Sequence, residues 1–241
     1  MHDLEAEARL EVIGRVEGCF DERFGTPRQP GLTPDARAEL ILLPPYDHPD
    51  LLRGLEDCSH VWLVFGFHRN PARRWRPTVR PPRLGGNRRR GVFATRSPFR
   101  PNPIGLSLVR LDGLIHERRR CGLRLRSHDL VNGTPVYDIK PYIPYADCVV
   151  DARPPAGFDA PPRRRPVAFL AEAEASLERC PGGFRALVEQ TLSLDPRPAY
   201  RGEDSGRQHG VVLMGINVRF CVAADRVEVV RITPDERVTC S

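Results

Sequence analysis

Three prolines, Pro98, Pro101 and Pro103, fall within six positions of residues 91–111, G-V-F-A-T-R-S-P-F-R-P-N-P-I-G-L-S-L-V-R-L. Proline fixes its own φ and offers no backbone N–H, so this segment excludes a helix or a central strand and marks a corner between strands. The flanking alternation predicts one strand at residues 92–95, with Val92 and Ala94 on one face and Phe93 and Thr95 on the other. It predicts a second strand carrying Ile104, Leu106, Leu108 and Leu111. Gly105 is the position in that strand that permits close backbone approach. Arg96 and Arg100 project from the restrained loop, which loses little entropy on binding, and their planar donors suit carboxylate or phosphate. On spacing alone, a solvated barrel corner is the alternative.

The rest of the chain is rich in short strand signals. Residues 10–19, 38–43, 59–67, 122–126 and 136–139 have strand composition, and residues 49–54 read as a helical turn. Asn132-Gly133, between Val131 and the strand at 136–139, predicts a hairpin turn. Residues 75–87, W-R-P-T-V-R-P-P-R-L-G-G-N, are too rich in proline and arginine for a core element and read as a long loop. Trp75 with Arg76, Arg80 and Arg83 suits either an RNA contact or a loop packed on its own domain. Residues 9–150 are therefore expected to form a mainly β domain, 151–165 a Pro/Arg-rich linker, and 166–235 a small α+β domain. In that second domain, helices are expected at residues 167–179 and 184–192, and a terminal hairpin at 211–222 and 227–232.

Of 37 basic residues, only Lys140 is a lysine, so arginine abundance carries less weight than arginine clustering at 73–90 and 163–165. A net charge of +6 is compatible with a polyanionic partner. Seven cysteines stand singly, away from metal-ligand spacing, so no metal site and no disulfide framework are expected. No apolar run is long enough to span a bilayer and the N-terminus lacks a signal-peptide core, which predicts no membrane association and a cytoplasmic protein. Glycine-rich nucleotide fingerprints are absent.

Several motifs together resemble the TrmO, or TsaA-like, family of S-adenosylmethionine-dependent tRNA methyltransferases. They are T-P-R-Q-P-G at 26–31, G-L-E-D-C-S-H-V-W at 54–62 and the stretches at 75–87 and 91–111. S-H-D-L-V-N-G-T-P-V-Y-D-I-K-P-Y-I-P-Y-A-D at 127–147 and D-P-R-P-A-Y-R at 195–201 complete the set. The resemblance implies an antiparallel β-barrel without the Rossmann arrangement, a homodimer, and a cofactor site near the subunit interface. It also implies that S-adenosylmethionine is bound by Pro27, Arg28, Gln29, His68, Arg69, Arg96, Leu106, Asp129, Leu130, Val131 and Asn132. The family pattern has aspartate where this chain has Asn132, which keeps the turn chemistry and loses a charge.

The implied reaction moves a methyl group to the exocyclic N6 of threonylcarbamoyladenosine beside the anticodon of threonine tRNA. Arg100 or Lys140 are the groups that could stabilise charge developing on the substrate. Asp138, Lys140 and Tyr142 alternate, so they either orient substrate or form a buried ionic pair closing the barrel. Arg197, Tyr200 and Arg201 combine cations with an aromatic platform for tRNA, while an Asp195–Arg197 pair that merely fastens the second domain is the alternative. A non-catalytic RNA-binding module and a methyltransferase acting on a small metabolite are the competing functional readings.

Overall fold

The computed structural model describes residues 9–70, 75–84, 88–197 and 206–235. In chain order the first strands are β1 (Gly14–Gly18), β2 (Arg37–Leu42), β3 (His60–Gly66), the two-residue β4 (Thr78–Val79) and β5 (Arg90–Gly91), β6 (Ile104–Glu117), β7 (Arg120–Arg126) and β8 (Pro135–Pro141). Six of them close a barrel in the order β1-β2-β7-β6-β3-β8 with every pairing antiparallel, while β4 and β5 pair with each other. Alternation places Leu40, Val61, Leu63, Val109, Leu123 and Leu125 inside as the barrel core.

Register decides β6. The expected apolar residues Ile104, Leu106 and Leu108 face outward, and the inward set is Gly105, Ser107, Val109 and Leu111. Both faces of this strand are apolar enough to be core, so composition leaves the choice open, and pairing with β3 settles it by placing Phe65 opposite Gly105. A Cβ on Gly105 would stand 2.2 Å from Phe65 Cζ, so the ring fills the space that any other residue would need.

Other expectations change in instructive ways. Residues Val92–Ala94 form a 3-10 turn rather than a strand, closed by Thr95 N–H donating to the Val92 carbonyl at 3.2 Å. The loop expected at 75–87 contains β4 and a 3-10 turn at Pro82–Leu84, because β5 offers β4 a partner that the sequence does not advertise. The Asn-Gly turn is present, with Gly133 at φ +80° and Thr134 N–H donating to Val131 at 3.1 Å. It is no hairpin, however: β7 pairs with β6 and β2, whereas β8 pairs with β3 and β1, so residues 127–134 cross one end of the barrel. The first strand is also shorter than residues 10–19.

After β8 come a single helical turn, α1 (Pro144–Asp147), and then β9 (Val167–Phe169), α2 (Ala171–Leu177), α3 (Phe184–Ser193), β10 (Gln208–Leu213), β11 (Ile216–Val222) and β12 (Val227–Pro234). A four-stranded sheet in the order β10-β11-β12-β9 results, with β9 parallel to β12. The helix expected from residue 167 starts only at Ala171, because pairing with β12 makes residues 167–169 strand. The expected terminal hairpin is three strands, since Met214-Gly215 turns the chain at positive φ within the first of the expected two. The molecule is thus a mainly β barrel domain followed by a small α+β domain.

The two parts share a core. Phe20 and Ala36, from the segment joining β1 to β2, are fully buried against Val211, Leu213, Phe220 and Leu192 of the C-terminal part. Burying a side chain of the size of phenylalanine is worth roughly 1.5–3 kcal/mol. Backbone groups follow: Met214 N–H donates to the Cys19 carbonyl at 3.0 Å, and Gly215 N–H to Asp21 Oδ2 at 2.8 Å. Residues 151–165 carry no helix or strand but are held at several points. Arg165 N–H donates to the Ser193 carbonyl at 2.8 Å, and Arg164 Nη1 to Ser193 Oγ at 2.9 Å.

Candidate functional site

One cleft of about 1970 Å³ gathers the segments that the sequence singled out. Its barrel side is made of residues 23–29, the end of β3 with His68 and Arg69, the start of β6, and Asp129 to Val131. The proline-restrained residues 95–102 form another wall. The Pro/Arg loop, the linker through Phe158, and the C-terminal domain through Thr191 and residues 194–197 complete it. A volume beyond the ~300–1000 Å³ of ordinary small-molecule pockets leaves room for a small molecule together with part of a larger one. Among the described residues, eleven arginines and two aspartates line the cleft, so its field favours anions. A second hollow of about 490 Å³, beside the start of α3, contains none of the residues expected at the site.

Asp129 lies in the segment that crosses the barrel end after β7. Ser107, which points inward from β6, donates to Asp129 Oδ1. Burial pushes the carboxyl up from 3.8 to about 6, against the opposing effects of the Ser107 hydrogen bond and the Arg96 charge. Arg96 Nη1 donates to Gln29 Oε1, so the restrained loop and the Pro27-Arg28-Gln29 loop meet across the cleft. Arg100 Nη1 donates to the Thr95 carbonyl at 3.0 Å, which fixes one end of its guanidinium. Arg69 reaches back to the Asp21 carbonyl at 2.6 Å and to His68 Nε2 at 3.4 Å. Burial first, and then the Arg69 charge, hold the His68 imidazole below its usual range, so it is neutral at pH 7. Leu106 is 54% exposed and Phe93 79%, both lining the cleft, so a cationic wall carries apolar patches.

These groups fit an α-amino acid joined to a nucleoside. A carboxylate would meet the cations Arg96 and Arg28, an ammonium the Asp129 carboxyl, and a flat ring Leu106. The same donor set offers no phosphate-cradling glycine loop.

The family model described as tRNA-methyltransferase O N-terminal domain matches residues 15–148, and the TrmO C-terminal domain model matches residues 162–235. The chain belongs to the TrmO family. It is 47% identical over 230 residues to the tRNA (adenine(37)-N6)-methyltransferase of Escherichia coli K12, covering 94% of this chain and 98% of that protein. A Pseudomonas aeruginosa protein, provisionally named an S-adenosylmethionine-dependent methyltransferase, is 49% identical over 215 residues, covering 88% of this chain and 91% of that one. A crystal structure of TrmO from Pseudomonas aeruginosa superposes with a TM-score of 0.76 at 41% identity, covering 93% of this chain and 97% of that chain.

Of the residues that the TrmO resemblance assigns to the cofactor, Pro27, Arg28, Gln29, His68, Arg69, Arg96, Leu106, Asp129, Leu130 and Val131 line this cleft. Leu130 does so while 1% exposed, mostly as barrel core. Asn132 does not line it. Its Oδ1 accepts from Gly18 N–H at 3.2 Å and its own N–H donates to the Phe20 carbonyl at 2.8 Å, so its side chain ties the crossing segment to β1. An aspartate would accept the same Gly18 bond, which accounts for the exchange without invoking the cofactor.

Lys140 is also elsewhere. It projects from the outer face of β8, paired with Asp138 at 2.9 Å in an ion pair that is largely exposed on both sides, so it neither reaches the cleft nor closes the barrel as a buried pair. Arg197 lines the cleft wall but is 7% exposed, held by Asp195 through Nε at 2.8 Å and Nη2 at 2.9 Å. The pair lies within one loop, so it holds the guanidinium in place without itself fastening the second domain to the barrel. Tyr200 and Arg201 lie outside the described residues. Sequence reasoning missed Ser107 and Phe158. The signal for Ser107 was its place in the alternation with Gly105 and Val109, and for Phe158 it was a lone aromatic in a proline-rich stretch.

Proposed function

We propose that this chain methylates the N6 of adenine 37 in tRNA with S-adenosylmethionine as donor, and that the adenine bears a threonylcarbamoyl group in threonine tRNA. The observation that carries the reading is the Arg96–Gln29 hydrogen bond in a cleft that Asp129 and eleven arginines also line. Asp129 beside Arg28 and Arg96 suits a zwitterionic nucleoside, and the remaining arginines suit a polyanion. The relatedness to an Escherichia coli enzyme of that name over nearly the whole of both chains supports the same activity.

When bound, S-adenosylmethionine would supply an electrophilic methyl group to the base nitrogen and depart as a neutral thioether. The residues then have three tasks. Arg28, Arg96 and Asp129 hold and orient the donor, and alignment of this kind can take about 7–11 kcal/mol off the barrier. Arg100, anchored on the Thr95 carbonyl, retains N–H donors for the carbonyl next to the reacting nitrogen, where charge grows as that nitrogen loses its proton to water. The remaining arginines of the cleft neutralise phosphates and the threonyl carboxylate. No covalent enzyme intermediate is needed. We further propose a cytoplasmic homodimer, as the family resemblance implies; light scattering on the purified protein tests the dimer.

Incubation of the purified protein and S-adenosylmethionine with tRNA bearing the threonylcarbamoyl group should add one methyl to that nucleoside, read by mass spectrometry of digested anticodon-loop nucleosides. A methyl found on another base, or none, would overturn the proposal.

A further inference from the structure

The segment between the two domains supplies an aromatic ring to the cleft. Phe158 lines it, half-buried, from a stretch that is otherwise proline, arginine, alanine, glycine and aspartate. Five features fix the ring. Phe158 N–H donates to the Pro155 carbonyl at 3.0 Å, closing a turn, and Gly157 N–H donates to Asp159 Oδ2 at 3.2 Å. Gly157 sits at φ +89°, and a Cβ there would stand 2.3 Å from Leu84 Cδ2, so the turn is pressed against the Pro82–Leu84 turn of the Pro/Arg loop. From that turn, Arg83 places its guanidinium 5.3 Å from the centre of the Phe158 ring and donates to the Ala160 carbonyl. A cation within ~6 Å of a ring centre is attracted to its face.

We propose that Phe158, backed by Arg83, is a stacking platform for an unpaired nucleobase of the RNA substrate. The inference rests on the RNA reading of the cleft. Its own grounds are chemical: single-stranded RNA is recognised by stacking bases on aromatic rings or guanidinium planes beside phosphate-binding cations. Here a ring, a guanidinium and the exposed Arg80 and Arg89 line one cleft. The platform also gives the Pro/Arg-rich segment a task beyond connecting two domains. Phe158 is a binding residue and takes no part in holding the methyl donor.

The test is binding of an unmodified anticodon stem-loop RNA to the full-length protein at several salt concentrations, beside S-adenosylmethionine affinity and a thermal melt. Phe158→Leu should weaken RNA binding about tenfold, the size expected for removing one base–aromatic stack. Phe158→Trp should restore it. The slope of log K against log salt should stay the same, because no charge is removed. Donor affinity should also be unaltered. Wild-type RNA affinity in Phe158→Leu would overturn the platform. So would a weakening accompanied by a lower melting temperature and lower donor affinity that Phe158→Trp does not repair, since that pattern means packing alone. The two proposals fail separately: RNA binding that depends on Phe158 without methyl transfer refutes the enzyme reading and leaves the platform standing.

Discussion

His128 and Asp129 are adjacent, and their surroundings shift them toward each other from opposite sides. Full burial lowers the His128 imidazole from 6.5 to about 4, and burial raises Asp129 from 3.8 to about 6. The neutral imidazole is the form that its partners ask for: Leu130 N–H donates to Nδ1 at 3.2 Å, while Nε2 lies 3.2 Å from the Arg37 carbonyl. Asp129 binds more protons folded than unfolded between pH 3.8 and about 6, so it lowers stability as pH rises through that window. His128 binds fewer between pH 6.5 and about 4, so it lowers stability as pH falls. In the wild-type protein the two oppose each other over the shared range. Asp129→Asn should therefore expose the histidine alone, giving a stability that falls between about pH 6 and 4 by up to about 1.4 kcal/mol per pH unit more steeply than wild type. Chemical denaturation at several pH values reads this, and identical pH profiles for variant and wild type would refute the opposition.

At the scale of elements, β6 shows where sequence reading succeeds and stops. Its existence and its start after the prolines were legible, because proline acts through local backbone geometry, whereas Gly105 makes room for the Phe65 side-chain ring and not for the backbone approach expected there. Which face turned inward was not, because Leu106 and Leu108 are as apolar as Val109 and Leu111, and only the partner strand breaks the tie. The missing hairpin at Asn132-Gly133 has the same cause, since a turn signal reports a local φ and not which strands pair afterwards. The site divides likewise. Motif-borne residues such as Gln29 and Arg96 were legible, whereas the outward placement of Lys140 depends on the phase of β8. Gly105→Ala tests the packing of β3 on β6: its methyl would meet the Phe65 ring, and overpacking costs about 1–3 kcal/mol. The melting temperature should fall by several degrees and recover in part when Phe65→Leu is added; an unchanged melting temperature in Gly105→Ala would show that the ring moves freely.

Across the whole molecule, the arginines divide into those that hold the structure and those that remain available to a polyanion. Arg197 belongs to the first group: removing it takes away two hydrogen bonds to Asp195 and leaves that carboxylate with Arg165 at 3.4 Å, and a hydrogen bond to a charged group is worth about 1.5–3 kcal/mol. Arg80 and Arg89 are exposed in the cleft and belong to the second. Arg197→Ala should lower the melting temperature and leave the salt slope of tRNA binding unchanged. The Arg80→Ala, Arg89→Ala double variant should do the reverse, reducing the slope by roughly 0.7–0.9 for each phosphate no longer neutralised. Titrations at several salt concentrations separate the groups, and a slope altered by Arg197→Ala would return that residue to the tRNA. The shared core has a consequence of another kind. Phe20 belongs by chain position to the barrel and by packing to the C-terminal sheet, where it bridges to Leu213. A protease cut placed in residues 151–165 would part the polypeptide without parting the core that the two domains share, so the two pieces should still travel together through a sizing column.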